Sequence, residues 1–510
     1  MTNSNTSAAW KYHNATKHSY ASIRTNPHVL DWNNKPLEYK IYPTLEVTRL
    51  PREATQTGVS ALSAVAATSI PVHDPALPTL ENLAQILFLS AGITKSRKYP
   101  GGEIFFRAAA CTGALYEVEL YLVCGDLPEL AAGIYHFGVA EFGLRQLRAG
   151  DYRSTLVEAT GTCPSVAHAP LTIICTGTFW RNAWKYEART YRHFGWDNGT
   201  IIANMLAATA ALGLPAKVVL GFADAQVNQL LSLDTHREVA LTLIPVGFAS
   251  TALAASPEIT PLDLPLIPLS KTEIDYPAMR DMHEASSLAS GADAEAWRNT
   301  SLELEPASQA GKLIELPRAE KDQLSSDTLD QVILRRGSTR KFAPVPITSF
   351  ELSTLLYHAT RGIPADYLHP VGARLNGLYL IVNDVEGIAS GSYFYHRKQH
   401  ALDLLRHGRF RKMAGYLALE QQLAADASVC IFFLADLARI LDRFGNRGYR
   451  ATQLEAGILG GKLYLAAYAQ GLGATGLTFY DDDVAHFFSP HAQGKNAMFL
   501  IAVGRSALPR

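Results

Sequence analysis

"WDNGTIIANMLAATAALGLPAKVVLGFAD" fills residues 196–224, and "LEAGILGGKLYLAAYAQGLGATGLTFYDD" fills residues 454–482. Laid one over the other, Asp197 falls on Glu455, Gly199 on Gly457, and Leu212-Gly213-Leu214 on Gly471-Leu472-Gly473 within a residue or so. The agreement continues upstream. "KYEARTYR" (185–192) lies over "RFGNRGYR" (443–450), matching Arg189 with Arg447, Tyr191 with Tyr449 and Arg192 with Arg450. "AGIYHFGVAEFGLRQLRAGDYR" (132–153) lies over "SGSYFYHRKQHALDLLRHGRFR" (390–411), and "APLTIICTG" (169–177) over "ASVCIFFLA" (427–435). Both halves close on an apolar strand ending in glycine, "LTLIPVG" and "MFLIAVG". So many segments agreeing in the same order mark a tandem duplication. One pair breaks the pattern: Lys185 and Tyr186 become Arg443 and Phe444.

Hydrophobic periodicity reads each repeat the same way. A helix ("LENLAQILFLSAG", "SFELSTLLYHATRG") leads into a strand and hairpin, then a helix and a strand, then a long helix and two more strands. The fold class predicted is α+β, with each repeat an α/β sandwich. The long helices, expected over 199–212 and 456–470, are apolar nearly all round and should be buried at a centre or interface. Residues 1–248 form the first repeat, 331–510 the second, and 249–330 a connector rich in Ala, Ser, Pro and Glu that is expected to wrap the surface.

The 510 residues suit two cores. A net charge of −1 gives no general attraction to nucleic acid or to an anionic membrane. Five scattered cysteines without a C-x-x-C pair support neither a disulfide framework nor a zinc site, and no metal is expected. The polar N-terminus has no signal-peptide pattern, and the most apolar stretch, 201–223, is broken by Gly213, Pro215 and Lys217. The default expectation is a soluble cytoplasmic protein.

Only the second half opens with "RRGSTRKF" (335–342), where Arg336, Ser338 and Arg340 would share one face of an extended segment. Two guanidinium forks and a hydroxyl make a cradle for a phosphate monoester, with Arg505 in "VGRS" a further candidate. The glycine-rich "GLGATG" (471–476) would let backbone approach a planar ring. Neither a dinucleotide fingerprint nor a P-loop occurs.

"RRGSTRKFAPVPITSFELSTLLYHATRG" resembles the opening of the FMN-dependent nitroreductase superfamily. "YHNATKH" (12–18), "LDWNNKPLEYKIYP" (30–43) and "KYEARTYR" resemble its azoline-oxidising branch, the SagB/ThcOx-type dehydrogenases. The resemblance implies two nitroreductase-like repeats forming a dimer within one chain, with FMN at the interface. It implies that Arg336, Ser338, Arg340 and Arg505 hold the FMN phosphate, with Ala474, Thr475 and Gly476 beside the flavin ring. "RAAACTGA" (107–114) would add Arg107, Cys111 and Gly113; it resembles the family's R-x-x-P-S-A-G-A, with Ala110 and Cys111 where that has Pro and Ser. "HPVGAR" (369–374) corresponds in the second half and also lacks the serine.

On this reading the single Lys-Tyr pair has an explanation. Each interface site would take its phosphate grip from one half and its catalytic residues from the other. Only one combination unites Arg336, Ser338 and Arg340 with Lys185 and Tyr186; the opposite site, offered Arg443 and Phe444, should be vestigial, giving one FMN per chain. Oxidising a peptide thiazoline or oxazoline requires a base for the ring Cα proton. Lys185, depressed by burial and a cation such as Arg189, or Tyr186 could serve. Such enzymes work beside a cyclodehydratase or on a carrier-bound peptide. Two other readings stand beside it: an NAD(P)H-dependent nitro, quinone or enone reductase, and an inactive flavin-binding scaffold. Arg189, Arg192, Arg447 and Arg450 recur in both halves and read as structural ion pairing. His13 and His18 read as hydrogen-bonded surface histidines.

Overall fold

The computed structural model describes residues 2–507 except 26, 53–55, 101, 301, 303–310 and 371. Part of the connector and Val371 of "HPVGAR" therefore lie outside the described residues.

Strands from continuous apolar runs build one antiparallel sheet per half. The first half contributes β1 (Thr48–Arg49), β2 (Val118–Cys124), β3 (Gly133–Gly138), β4 (Gly143–Ala149), β5 (Leu171–Thr178) and β6 (Glu238–Val246), in spatial order β1-β4-β3-β2-β5-β6. The second half adds β8 (Asn376–Val382), β9 (Gly391–His396), β10 (Ala401–His407), β11 (Val429–Ala435), β12 (Gly473–Gly476) and β13 (Asn496–Gly504), with β7 (Leu313–Glu315) supplied by the connector. Its order is β12-β13-β11-β8-β9-β10-β7. Leu122 pairs with Ile173 between β2 and β5, and Leu380 pairs with Ile431 between β8 and β11; both partners have moved by 258 positions. Even the irregularities repeat. Register shifts after Ile134 and Cys175 recur at the same offset, after Ser392 and Phe433. Bulges re-aim a strand locally, so their duplication extends the match from sequence to backbone geometry.

Between the sheets run the two longest helices. In chain order the helices that matter here are α1 (Ser7–Ala15), α2 (Leu80–Ala91), α3 (Phe179–Tyr186), α4 (Thr190–Ala211), α5 (Pro277–Ala285), α6 (Gly291–Arg298), α7 (Ser349–Ala359), α8 (Leu437–Phe444) and α9 (Arg447–Ala469). Every residue of α9 is buried, as is α4 from Thr190 to Thr209 except Gly195. They meet through equivalent glycines: a Cβ on Gly199 would lie 2.5 Å from the Gly457 carbonyl carbon, and one on Gly457 would lie 2.5 Å from the Gly195 carbonyl oxygen. Gly195 abuts Gln453 and Gly461 abuts Ala203, so counterparts face counterparts along a parallel helix pair. No helix among the described residues is long and apolar enough to cross a membrane.

Both central helices begin about nine residues earlier than their apolar pattern predicts, because the polar first turns are buried by ion pairs between the halves. Arg189 Nη1 and Arg192 Nη1 reach Asp481 of the second half at 3.2 and 2.6 Å. Arg447 Nη1 and Arg450 Nη1 reach Asp224 of the first at 2.6 and 2.7 Å. The structural reading of these four arginines agrees with this geometry. Burial opposes ionisation of both aspartates, yet the paired guanidinium groups win and hold each carboxyl down at about 2.

Two expectations are corrected. The connector does not only wrap the surface: α5 buries Met279, Met282 and His283, α6 buries Trp297, and β7 extends the second sheet. His13 is fully buried rather than a surface group, because α1 lies across both halves, with Tyr12 Oη donating to Ala188 O at 2.5 Å and Ala9 N donating to Asn446 Oδ1 at 3.0 Å.

Candidate active site

Helix α3 places the Lys-Tyr pair. The segment "LDWNN" and the connector clamp it: Trp184 Nε1 donates to Asp31 O at 2.9 Å and Trp180 Nε1 to Ser270 Oγ at 2.8 Å. The helix stops at Glu187, whose φ of 48° and ψ of −142° turn the chain sharply into α4. The second half makes the same turn at Gly445 with φ 64°.

Lys185 and Tyr186 line a cleft of about 340 Å³ between the halves, within the usual range for small-molecule sites. The first half contributes residues 110–114, Lys185, Tyr186, His193, Trp196 and Asp197. Opposite them stand Ser338, Arg340, Tyr464 and residues 475–478 of the second half. The structure thus brings together Lys185, Tyr186, Cys111, Gly113, Ser338, Arg340, Thr475 and Gly476. Gly113 has φ 67°, and a Cβ there would lie 2.8 Å from Tyr186 Oη, so only glycine admits the phenol at this spot.

Burial lowers the affinity of Lys185 for its proton, and the Arg340 guanidinium lowers it further. The depressing cation therefore comes from the other half. Arg189, the sequence-based choice, is instead committed to Asp481 and to the Thr16 carbonyl. Tyr186 is raised well above the ordinary phenol value by burial and by Asp197. Its ring stands edge-on to His193, with centroids 4.7 Å apart.

Four predicted residues do not line this cleft. Arg336 is buried at the interface, where Nε donates to Ala108 O at 2.8 Å and Nη2 to Arg107 O at 3.0 Å. Arg107 donates to Glu38 O at 2.6 Å and stacks 4.7 Å from the Tyr116 ring. Ala474 is buried in β12, its carbonyl accepting Thr339 N at 2.9 Å. Arg505 lies outside the cleft, paired at 2.8 Å with Glu351 in the first turn of α7. That ion pair is where its guanidinium lies in this structure.

The cleft also contains groups that the motifs did not reveal. Asp197 accepts Thr112 N and Thr112 Oγ1, each at 2.9 Å, and its Oδ2 lies 3.4 Å from Cys111 Sγ, which in turn lies 3.4 Å from Glu117 Oε2. Burial and the neighbouring Glu117 push the Asp197 carboxyl well above its usual range, and burial does the same to the Cys111 thiol. Tyr464 links Ser338 to the 475–478 segment, its hydroxyl accepting Gly476 N at 2.6 Å and lying 3.2 Å from Ser338 Oγ. His18, held neutral with a pKa pushed down to about 3 by burial and Arg189, reaches the rim. Asp197 could have been found from its alignment with Glu455, which caps the matching loop by accepting Leu375 N and Asn376 N. Tyr464 was hidden inside an apolar helix.

At the equivalent place across the pseudo-two-fold the cleft is filled. Trp297 of α6 packs 5.5 Å from the ring of Phe444, the counterpart of Tyr186, and its Nε1 donates to Phe444 O at 2.9 Å. Asp366 accepts Leu220 N and Gly221 N, both at 2.9 Å, 258 positions before Thr478 and Phe479. Arg443 is exposed to solvent.

The model of the "Nitroreductase family" matches residues 73–248 and again 333–505, more than half of the chain. The chain belongs to that family. A crystal structure from Anabaena variabilis, described as a candidate nitroreductase, is similar over 99% of this chain and 100% of its own, with 26% identity and a TM-score of 0.79. The tandem arrangement is thus shared along the full length of another nitroreductase-like chain. A nitroreductase-like protein of Methanocaldococcus jannaschii is 29% identical over 166 residues, 31% of this chain and 81% of that one. The trifolitoxin-processing protein TfxB of Rhizobium leguminosarum bv. trifolii is 31% identical over 153 residues, 29% of this chain. That match spans only 41% of TfxB.

Proposed function

We propose that this nitroreductase-family chain is an FMN-dependent dehydrogenase that oxidises thiazolines or oxazolines in a peptide to the corresponding azoles. The observation that carries the reading is the meeting of Lys185 and Tyr186 from one half with Ser338 and Arg340 from the other in one cleft.

The residues fit the cofactor. Arg340 has no ion-pair or hydrogen-bond partner among the described residues, and the buried Arg336 has tyrosines but no carboxylate among the groups that act on it. Arg336 is buried and Arg340 exposed in the cleft; a buried guanidinium without a carboxylate is costly, and a phosphate monoester would supply the missing anion to both. Arg340 and Ser338 would approach the phosphate, with Arg336 adding its charge from the buried interface behind them, while Thr475 and Gly476 would flank the ring. When bound, FMN supplies a two-electron acceptor for the hydrogen leaving the azoline ring methylene.

The chain's own residues handle the other hydrogen. Lys185, whose hold on its proton is weakened by burial and Arg340, is the group placed to take the ring Cα proton. Tyr186 keeps its proton and can donate to the azoline nitrogen. The walls from Gly113 to Trp196 would hold the ring against the acceptor. A peptide substrate, delivered by a cyclodehydratase or carrier partner, is supported by the likeness to a trifolitoxin-processing protein and by "YHNATKH", which ends at His18 on the rim.

The test is to release and count the flavin of purified protein, then follow oxidation of a synthetic thiazoline peptide. One FMN per chain is expected, kept in Lys185→Ala while oxidation is lost. No flavin, or full azoline oxidation by the variant, overturns the reading.

A further inference from the structure

A second cavity, of about 510 Å³, lies at the opposite end of α3. Its roof is the connector stretch 262–273, pinned by Ile267 N donating to Ile41 O at 3.1 Å and by Leu37 N donating to Leu269 O at 2.8 Å. Leu147, Leu231, Leu262 and Leu264 give it apolar walls, and Leu266 and Ile267 stand exposed at its edge.

The cavity's polar side is built from the first turn of α3. Arg181 lines it and is fully buried, with Nη1 donating to Glu119 Oε1 at 2.6 Å and to Tyr116 O at 2.8 Å. Nε and Nη2, the other edge of the same guanidinium, have no hydrogen-bond partner. Thr178, also lining the cavity, is the N-cap residue of α3, yet its hydroxyl caps nothing and is likewise unpartnered and buried. No acidic side chain occupies the first turn of this helix. The neighbouring carboxylates are engaged elsewhere: Asp234 and Glu273, which also line the cavity, lie 3.9 and 3.4 Å from Arg237 Nε. Glu119 is taken by Arg181 Nη1 and His136, and Glu238 by Lys40 at 2.6 Å, Tyr121 and Thr176.

An unpaired guanidinium edge, a free hydroxyl and the positive end of a helix stand in one wall of the cavity and would suit an anion, and the apolar walls limit what could be attached to it. We infer that this cavity binds an apolar carboxylic acid, its carboxylate on Arg181 and Thr178 and its hydrocarbon body beneath the 262–273 strap. The chemistry is met by a fatty acid or by the free C-terminus of a peptide ending in aliphatic residues. Arg181 lies one turn before Lys185 on the same helix face, so the occupant would brace the element that carries the catalytic pair. The binding claim itself does not depend on what that pair does.

Calorimetric titration of the full chain with octanoate, 1-octanol, acetyl-dileucine and acetyl-dileucine amide tests this. Both carboxylates should bind saturably, with each neutral counterpart at least about tenfold weaker, the effect expected for losing a charged hydrogen-bonded pair. Tighter binding of acetyl-dileucine than of octanoate identifies a peptide end, and the reverse order a lipid. Arg181→Met risks the fold by stranding Glu119, so Leu264→Trp, which fills the cavity from the exposed strap, and Thr178→Val are the informative variants. The first should abolish binding and the second weaken it, with flavin content as the control for folding. Equal binding of acid and neutral probes, no binding of either acid, or binding unchanged in Leu264→Trp overturns the proposal.

Discussion

The open cleft and its filled counterpart are built on the same strands, helices and bulges, and they differ in what the connector does to each. Around the open one, Lys185 and Tyr186 face Ser338 and Arg340, and the connector stays behind α3. At the other, Phe444 faces not a cavity but Trp297, and the Asp366 carboxylate takes backbone donors equivalent to those beside the open cleft. The sequence carries R-x-S-x-R in the second half alone, and Trp297 stands against Phe444 at only one of the two equivalent places. A chain that must keep both halves for a single interface can let the second site become core.

The largest expected effect tests which cleft is live. Lys185→Ala should lower azoline oxidation by at least about 10²-fold, the usual scale for a general base. Arg443→Ala, at the counterpart position, should leave it unchanged. Comparable losses in both would break the asymmetry.

Next come the two ion-pair knots. Removing one partner from a buried pair costs about 3–5 kcal/mol, so Asp224→Asn and Asp481→Asn should lower denaturation midpoints alike. Asp481 also accepts His18 N at 2.8 Å on the rim of the open cleft, so only its replacement should impair turnover per folded molecule. Acid should act on both knots together. Each carboxyl sits at about 2 when folded, below its unfolded value, so its contribution is complete above pH ~4 and lost as pH falls through about 2. A stability profile flat through that window would contradict the knots.

Trp297→Ala asks whether the filled site can be reopened. Truncating a buried Trp costs about 3–5 kcal/mol, yet flavin should remain at one per chain, because no R-x-S-x-R opens the first half. A second equivalent would mean that the plug alone silenced that site.

Much of this contrast was legible from the sequence. The repeat, the buried central helices and the Lys-Tyr asymmetry are matters of pattern, and patterns survive in one dimension. Trp297 was not legible, because the connector lacks periodicity and nothing local says that one aromatic enters a core. The partner of Arg505 was not legible for a related reason: Glu351 stands 154 positions away. Arg340 as the neighbour of Lys185 also needed the tertiary fold, since the two belong to different halves.

Arg340→Ala gives a subtler readout. Without that cation, Lys185 holds its proton to higher pH, so the rise of turnover with pH should move upward, measured at saturating FMN. An unmoved profile would remove Lys185 from the role of base.

The smallest effect concerns the turn that follows Lys185 and Tyr186. Gly445 makes it at φ 64° and ψ −160°, whereas Glu187 makes it at φ 48° and ψ −142°, a region that a side chain disfavours. Residues held there cost on the order of 1–3 kcal/mol and persist when the surroundings over-determine them. Glu187→Gly should therefore raise the unfolding free energy, read from the urea midpoint, by about 1 kcal/mol once the extra freedom glycine gives the unfolded chain is set against the relieved strain. If strain at Glu187 fixes Lys185 and Tyr186 at the mouth of the cleft, the more stable variant should also turn over more slowly. Were it to gain stability and keep its rate, the turn would be a residue of duplication and not part of the site.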